Sequence, residues 1–247
     1  MLMNFQMLYG RLSLNSLNKL SAKKFVRNKT YKFQFNKILA ACVKAHSKLI
    51  ESENNLEGLE EEVLRNKLIK YIRSNQGTYG VAKYVFDAES AEIDNTTDKT
   101  VGYHDIKITI PCSSNFSTEE QKKFIIECKR IDGYASKNKA YIEEGINRFI
   151  SEKYVCNLDV CGMIGFVEKS NKIYKNDKIS EIVNDINDKL INTYNRNEME
   201  KLQLNLIIDE FNSSYNSTHT REKCNLPIYI THLFLDMNNQ LNNRTSY

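Results

Sequence analysis

The chain is poor in the residues that interrupt structure. Two prolines and nine glycines among 247 residues leave little room for long flexible linkers and exclude a collagen-like chain. Long apolar runs are also missing: Ile38–Val43 and Phe124–Ile126 fall far short of the about 20 residues a membrane-spanning helix needs. The opening Met1-Leu-Met-Asn-Phe-Gln-Met has no charged stretch ahead of an apolar one and no small-residue cleavage site, so no secretory signal is expected. An acid-free start containing Ser and Lys also suits a mitochondrial transit peptide, although only two arginines fall in it. A cytoplasmic protein that does not meet a membrane is the expectation. Of the six cysteines none forms a Cys-x2-Cys pair, and Cys156 and Cys161 have no nearby His; buried thiols fit better than a zinc site.

Acidic residues are missing from the first fifty positions. That stretch holds ten of the 35 basic side chains and none of the 31 acidic ones, so the rest of the chain carries 25 bases against 31 acids. A net charge of +4 thus divides into a basic arm and a mildly acidic body, which points to an anionic partner. In the arm Phe25, Tyr31, Phe33 and Phe35 interleave with Lys24, Arg27, Lys29, Lys32 and Lys37. Such a pattern can stack bases and neutralise phosphates, or it can be a solvated helix with one docking face. Lys23, Lys24, Arg27 and Lys29 are the candidate nucleic-acid contacts.

With 41% hydrophobic and 27% charged residues, the chain has the composition of a globular protein with a full core. Apolar spacing predicts a helix from Phe35 through Ile38, Leu39, Cys42, Val43, His46 and Leu49, and a second over 56–73 carried by Leu64, Leu68 and Ile72 and closed by Gly77. Strands are expected over Tyr79–Ala88, Val101–Ile110, Phe124–Arg130, Gly162–Val167, Leu202–Ile208 and Ile228–Leu235, and helices over Asn138–Tyr154 and Lys178–Tyr194. Residues 94–98 and 111–122 read as turn and loop. The order suggests a mixed sheet covered by helices, in one α/β domain over 34–247 behind a basic helical arm at 1–33.

Chemistry concentrates on Asp105, Glu127 and Lys129. Side chains two apart on a strand share a face, so Glu127-x-Lys129 presents a carboxylate and an amine together, with Phe124, Ile126 and Cys128 on the other face. Antiparallel pairing of 110 with 122 sets Asp105, beside Tyr103 and Lys107, opposite Glu127. Two carboxylates at short range repel, and a divalent cation relieves them; hard oxygen donors select Mg²⁺, with Mn²⁺ as a substitute.

Asp105, followed by a loop and Phe-Ile-Ile-Glu127-Cys-Lys129-Arg, resembles the core motif of the PD-(D/E)XK nuclease superfamily, the restriction-endonuclease-like enzymes. The resemblance spans roughly residues 56–168 and implies a restriction-endonuclease-like mixed sheet flanked by helices. It implies that Asp105, Glu127 and the Cys128 backbone carbonyl hold Mg²⁺, that Lys129 assists the attacking water, and that a glutamate of the preceding helix completes the site. Glu61 is chosen over Glu62, because it lies closer to the stripe of Leu64, Leu68 and Ile72. The proline of the family name is absent, since His104 precedes Asp105. The activity implied is hydrolysis of nucleic acid, DNA in the first place, in bacterial defence or restriction. The alternative is an inactive member of the fold that binds nucleic acid or serves assembly. No Gly-x4-Gly-Lys-Ser/Thr loop is present, so a translocating partner subunit, or a homodimer for two-strand cutting, is in keeping with the resemblance.

Other candidates stand apart. His219 and Arg221 either approach the phosphate backbone or are ordinary loop residues, with His232 in or beside the core. Arg130 faces away from Glu127 and Lys129. Tyr141 and Arg148 fall on different sides of their helix, so one of the two can contact nucleic acid, while Tyr141 reads as core.

Overall fold

The computed structural model describes residues 14–238 except 54, 94–98, 111–121, 155, 157, 171, 173, 175 and 176, with side chains from residue 29 on, that of residue 101 excepted. Helix α1 (Leu14–Ser52) is continuous over 39 residues. The boundary expected at residue 33 therefore falls inside one helix, because residues 14–52 contain neither proline nor glycine to break it. Its inner stripe buries Phe35, Ile38, Leu39, Cys42, Val43 and Leu49. Beside it lies α2 (Glu61–Ser74), which buries Leu64, Arg65, Leu68, Ile69 and Ile72.

A turn follows where a strand was expected. Tyr79 N donates to the Asn75 carbonyl and Val81 N to the Gln76 carbonyl, both at 2.9 Å, and Gly80 takes φ +70°, a conformation that suits glycine. The apolar Val81 and Tyr84 are buried in that turn, so strand β1 begins only at Val85 (Val85–Ile93). Strands β2 (Thr100–Thr109), β3 (Lys123–Ile131) and β4 (Val160–Val167) follow, then β5 (Gln203–Leu204), β6 (Ser214–Thr220) and β7 (Pro227–Asp236). The strand expected over 202–208 shrinks to two residues, and β6 forms at Ser214–Thr220, where no strand was expected. The expected turn at 94–98 and nearly all of the expected loop lie outside the described residues.

The seven strands form one sheet in the order β1-β2-β3-β4-β7-β6-β5. β3, β4 and β7 run parallel at its centre, and the outer pairs are antiparallel. One face, through Phe124, Ile126, Cys128, Ile164 and Leu233, packs on α1 and α2. The other, through Ile125, Met163, Ile230 and Phe234, packs on α5 (Lys178–Asn192) and the helix between β3 and β4. That helix comprises α3 (Ala135–Tyr141), a π-helical turn (Ile142–Ile146) and α4 (Asn147–Ile150). Coverage on both faces explains why β4 is apolar throughout. The architecture is the expected α/β one, a mixed sheet flanked by helices with a helix near the N-terminus. No described helix is long and apolar enough to cross a membrane.

Candidate active site at the fork between two strands

β2 and β3 pair from Thr109 with Lys123 to Ile106 with Ile126, and Ile110 N donates to the Lys122 carbonyl at 3.0 Å. The next pair in that register is Asp105 opposite Glu127, as expected. Here the strands part. Cys128 N donates to Asp105 Oδ2 at 2.7 Å, and the Tyr154 hydroxyl donates to the Tyr103 carbonyl at 2.9 Å. Side chains thus satisfy backbone groups that a continued ladder would have used, and Asp105 is turned into the gap between the strands.

Glu127 is fully buried. Its Oε1 accepts from an Arg148 guanidinium nitrogen and lies 3.3 Å from Lys129 Nζ. Its Oε2 is buried with no hydrogen-bond partner. Burial first, and the Asp105 charge second, lift the Glu127 carboxyl to about 7 against the pull of Lys129 and Arg148. Lys129 Nζ donates to Glu61 Oε1 at 3.0 Å, and the other Glu61 oxygen accepts from Arg130 N at 2.9 Å. Burial alone would lower the Lys129 ammonium, but Glu127, Glu61 and Asp105 outweigh it and hold its pKa above the ordinary lysine value. Glu61 is the first residue of α2, where a carboxylate also meets the positive end of the helix; Glu62 is exposed. The structure therefore brings together Asp105, Glu127, Lys129 and Glu61.

Two residues of this cluster escaped sequence reasoning or were assigned elsewhere. Arg65, buried on α2, donates to Asp105 Oδ1 at 3.3 Å and lies 3.6 Å from Glu89. A charged residue on the stripe of Leu64 and Leu68, one turn after Glu61, was a signal that could have marked it. Arg148, with about a quarter of its side chain exposed, bridges Glu127 and the Tyr154 hydroxyl, 2.8 Å away. The π-helical turn and Gly145 bring this helix close: a Cβ at Gly145 would collide with Met163 and reach 3.9 Å from Lys129 Cγ. Tyr141 is core, as expected, with its hydroxyl 2.9 Å from His232 Nδ1.

The other candidates lie elsewhere. His219 is buried between Glu200 at 2.7 Å and Ser217 at 2.8 Å. Arg221 is buried against Asp159 and the carbonyls of Cys156 and Pro227. Contact of either with a phosphate finds no support in this geometry, because β6 turns His219 inward between its two partners and Arg221, just after that strand, is buried with both terminal guanidinium nitrogens engaged. Arg130 points to Glu168 and Glu60 at 2.6 and 3.0 Å. Lys23, Lys24 and Arg27 lie on α1 with side chains outside the described set, and Lys29 is exposed there.

Among the described residues, no group of three or more His, Cys, Asp or Glu side chains is gathered to hold a metal ion. The fork offers two carboxylates, all hard oxygen donors, and the partnerless Glu127 Oε2 is an acceptor that a cation would satisfy; the residues fit Mg²⁺ or Mn²⁺ in their chemistry. Comparison of the chain with protein-family models, with curated proteins and with solved structures returned no match.

Proposed function

We propose that the chain is a divalent-cation-dependent nuclease whose active site is the β2–β3 fork. The observation that carries this reading is Glu127. A fully buried carboxylate beside a second carboxylate, with one oxygen unpartnered, costs about 1–3 kcal/mol for that oxygen alone, a cost with no evident structural return. The resemblance of Asp105…Glu127-x-Lys129 to the PD-(D/E)XK motif supports the same reading.

Asp105, Glu127 and the Cys128 carbonyl would hold the cation, which supplies positive charge to the phosphate oxygens under attack. The chain's own groups do the rest. Glu61 fixes the Lys129 ammonium at the mouth of the fork, where it holds the attacking water or a non-bridging phosphate oxygen. Arg65 offsets the Asp105 charge from behind. Arg148, partly exposed, is the second cation within reach of the phosphate. Water oxygen bonds to phosphorus, the ester P–O bond breaks, and the leaving oxygen takes up a proton.

One observation favours a second reading. Arg148 and Lys129 both lie on Glu127 Oε1, and protein cations at that place suit a fold retained for binding nucleic acid without cleaving it. Incubation with plasmid DNA, linear DNA and RNA, in Mg²⁺ or Mn²⁺ and in EDTA, separates the two. Cleavage that needs the cation and disappears in Asp105→Ala and Lys129→Ala supports the nuclease; binding without cleavage of any substrate supports the alternative.

A further inference from the structure

The four aromatic residues interleaved with the N-terminal lysines do not share one fate. Tyr31 and Phe35 turn inward, their ring centroids 6.5 and 5.0 Å from that of Phe124. Phe33 turns outward and is 62% exposed. Lys37 Nζ sits 4.7 Å from the Phe33 centroid. Lys32 Nζ sits 5.4 Å from the centroid of Tyr229 on β7, itself 38% exposed. Helix α1 and the start of β7 thus present two open rings with an ammonium beside each. The outer face of α1 continues this pattern: Lys29, Lys32, Lys37, Lys44 and Lys48 are all exposed. From Lys29 to Lys48 the helix rises about 28 Å, and no acidic residue precedes Glu51 in the chain.

From this arrangement we infer that the Phe33–Tyr229 surface is a stacking platform for single-stranded nucleic acid, with the lysines of α1 following its phosphates. Each ring leaves apolar surface open to solvent, and a base offers a flat apolar face to cover it. The flanking lysines meet the adjoining phosphates, and α1, free of acids until Glu51 pairs with Lys48 in its last turn, carries complementary charge along a length of several nucleotides. A duplex keeps its bases stacked inside and can use only the charges. The platform therefore discriminates single strands from duplexes by its rings and holds both by its lysines. The inference goes beyond hydrolysis at the fork and concerns binding alone.

Fluorescence anisotropy of the full chain in EDTA, with a labelled 20-nucleotide DNA strand, the same RNA strand and the DNA duplex, removes cleavage from the readout. Replacing Phe33 or Tyr229 by Ala weakens single-strand binding about tenfold each and leaves duplex binding within about twofold, while Tyr229→Phe binds as the parent does. Lys32→Gln with Lys37→Gln weakens both and flattens the salt dependence. Unchanged unfolding midpoints in urea confirm that these exposed positions are not structural. Equal losses for strand and duplex in the ring variants, or no binding of single strands by the parent, would each overturn the platform. Failure of the cleavage assay has no bearing on this result.

Discussion

Two clusters of ionisable residues lie within the same sheet, and they differ in how completely their polar atoms are paired. At the β2–β3 fork, Asp105, Glu127, Lys129, Glu61, Arg65 and Arg148 leave the buried Glu127 Oε2 without a partner. Three strands away, Glu200, His219, Ser217, His232 and Tyr141 form an unbroken chain of contacts of 2.7 to 2.9 Å. One direction of donation satisfies the whole chain: Tyr141 to His232 Nδ1, His232 Nε2–H to Ser217, the Ser217 hydroxyl to His219 Nε2, and His219 Nδ1–H to Glu200. Burial is the first cause that keeps His232 well below the ordinary histidine pKa, in accord with an Nδ1 that accepts from Tyr141. Burial would raise Glu200, yet the hydrogen bond from His219 holds it low. A triad-like set of residue types is here a closed network that fixes the packing of β6 on β7, while the incompletely paired cluster is the one with capacity for a ligand.

The largest expected contrast is in catalysis. Lys129→Ala lowers the cleavage rate by about a hundredfold to a thousandfold, whereas Ser217→Ala leaves the rate per folded molecule unchanged; single-turnover cleavage, corrected for folded fraction, reads both.

A stability effect of about 3 kcal/mol follows from Glu127. Its folded pKa, about 7, lies above the ordinary glutamate value of 4.5, so between these two pH values the folded state binds more protons than the unfolded one. Stability of the cation-free protein therefore falls as pH rises through that window and levels off above it. Urea unfolding across the window shows the slope in the parent and its absence in Glu127→Gln, which is the more stable of the two above about pH 7.

Ser217→Ala costs about 1–3 kcal/mol of stability, because it removes the hydroxyl that both imidazoles share; the same urea titrations measure it. The smallest effect separates neighbours. Glu62→Ala changes stability by less than about 0.5 kcal/mol and leaves cleavage unaltered, while Glu61→Ala slows cleavage by freeing Lys129.

The contrast between clusters also accounts for what was legible in the sequence. β2, β3, β4, β7 and α5 announce themselves because at least one face is apolar at the right period, and the pairing of 110 with 122 follows from strand ends. That register alone set Asp105 against Glu127, and the Leu64–Leu68–Ile72 stripe oriented Glu61. β6 was hidden because three of its four buried positions, Ser214, Ser217 and His219 beside Tyr215, are polar residues whose burial is tolerable only through partners on other elements. Arg65 and Arg148 were hidden for a related reason: their acceptors lie 40 and 21 residues away, and one of these arginines follows a π-helical turn that residue spacing does not announce. The continuity of α1 through residue 33 was obscured by weak apolar period in a stretch whose helicity rests on propensity.

Calorimetric titration of the full chain with Mn²⁺ at about pH 8, where Glu127 is charged, addresses the fork most directly. The account predicts saturable binding at a single site, retained in Ser217→Ala and lost in both Asp105→Asn and Glu127→Gln. Below about pH 7 binding also releases a proton. Absence of saturable binding, or binding unchanged by both carboxylate substitutions, would contradict it.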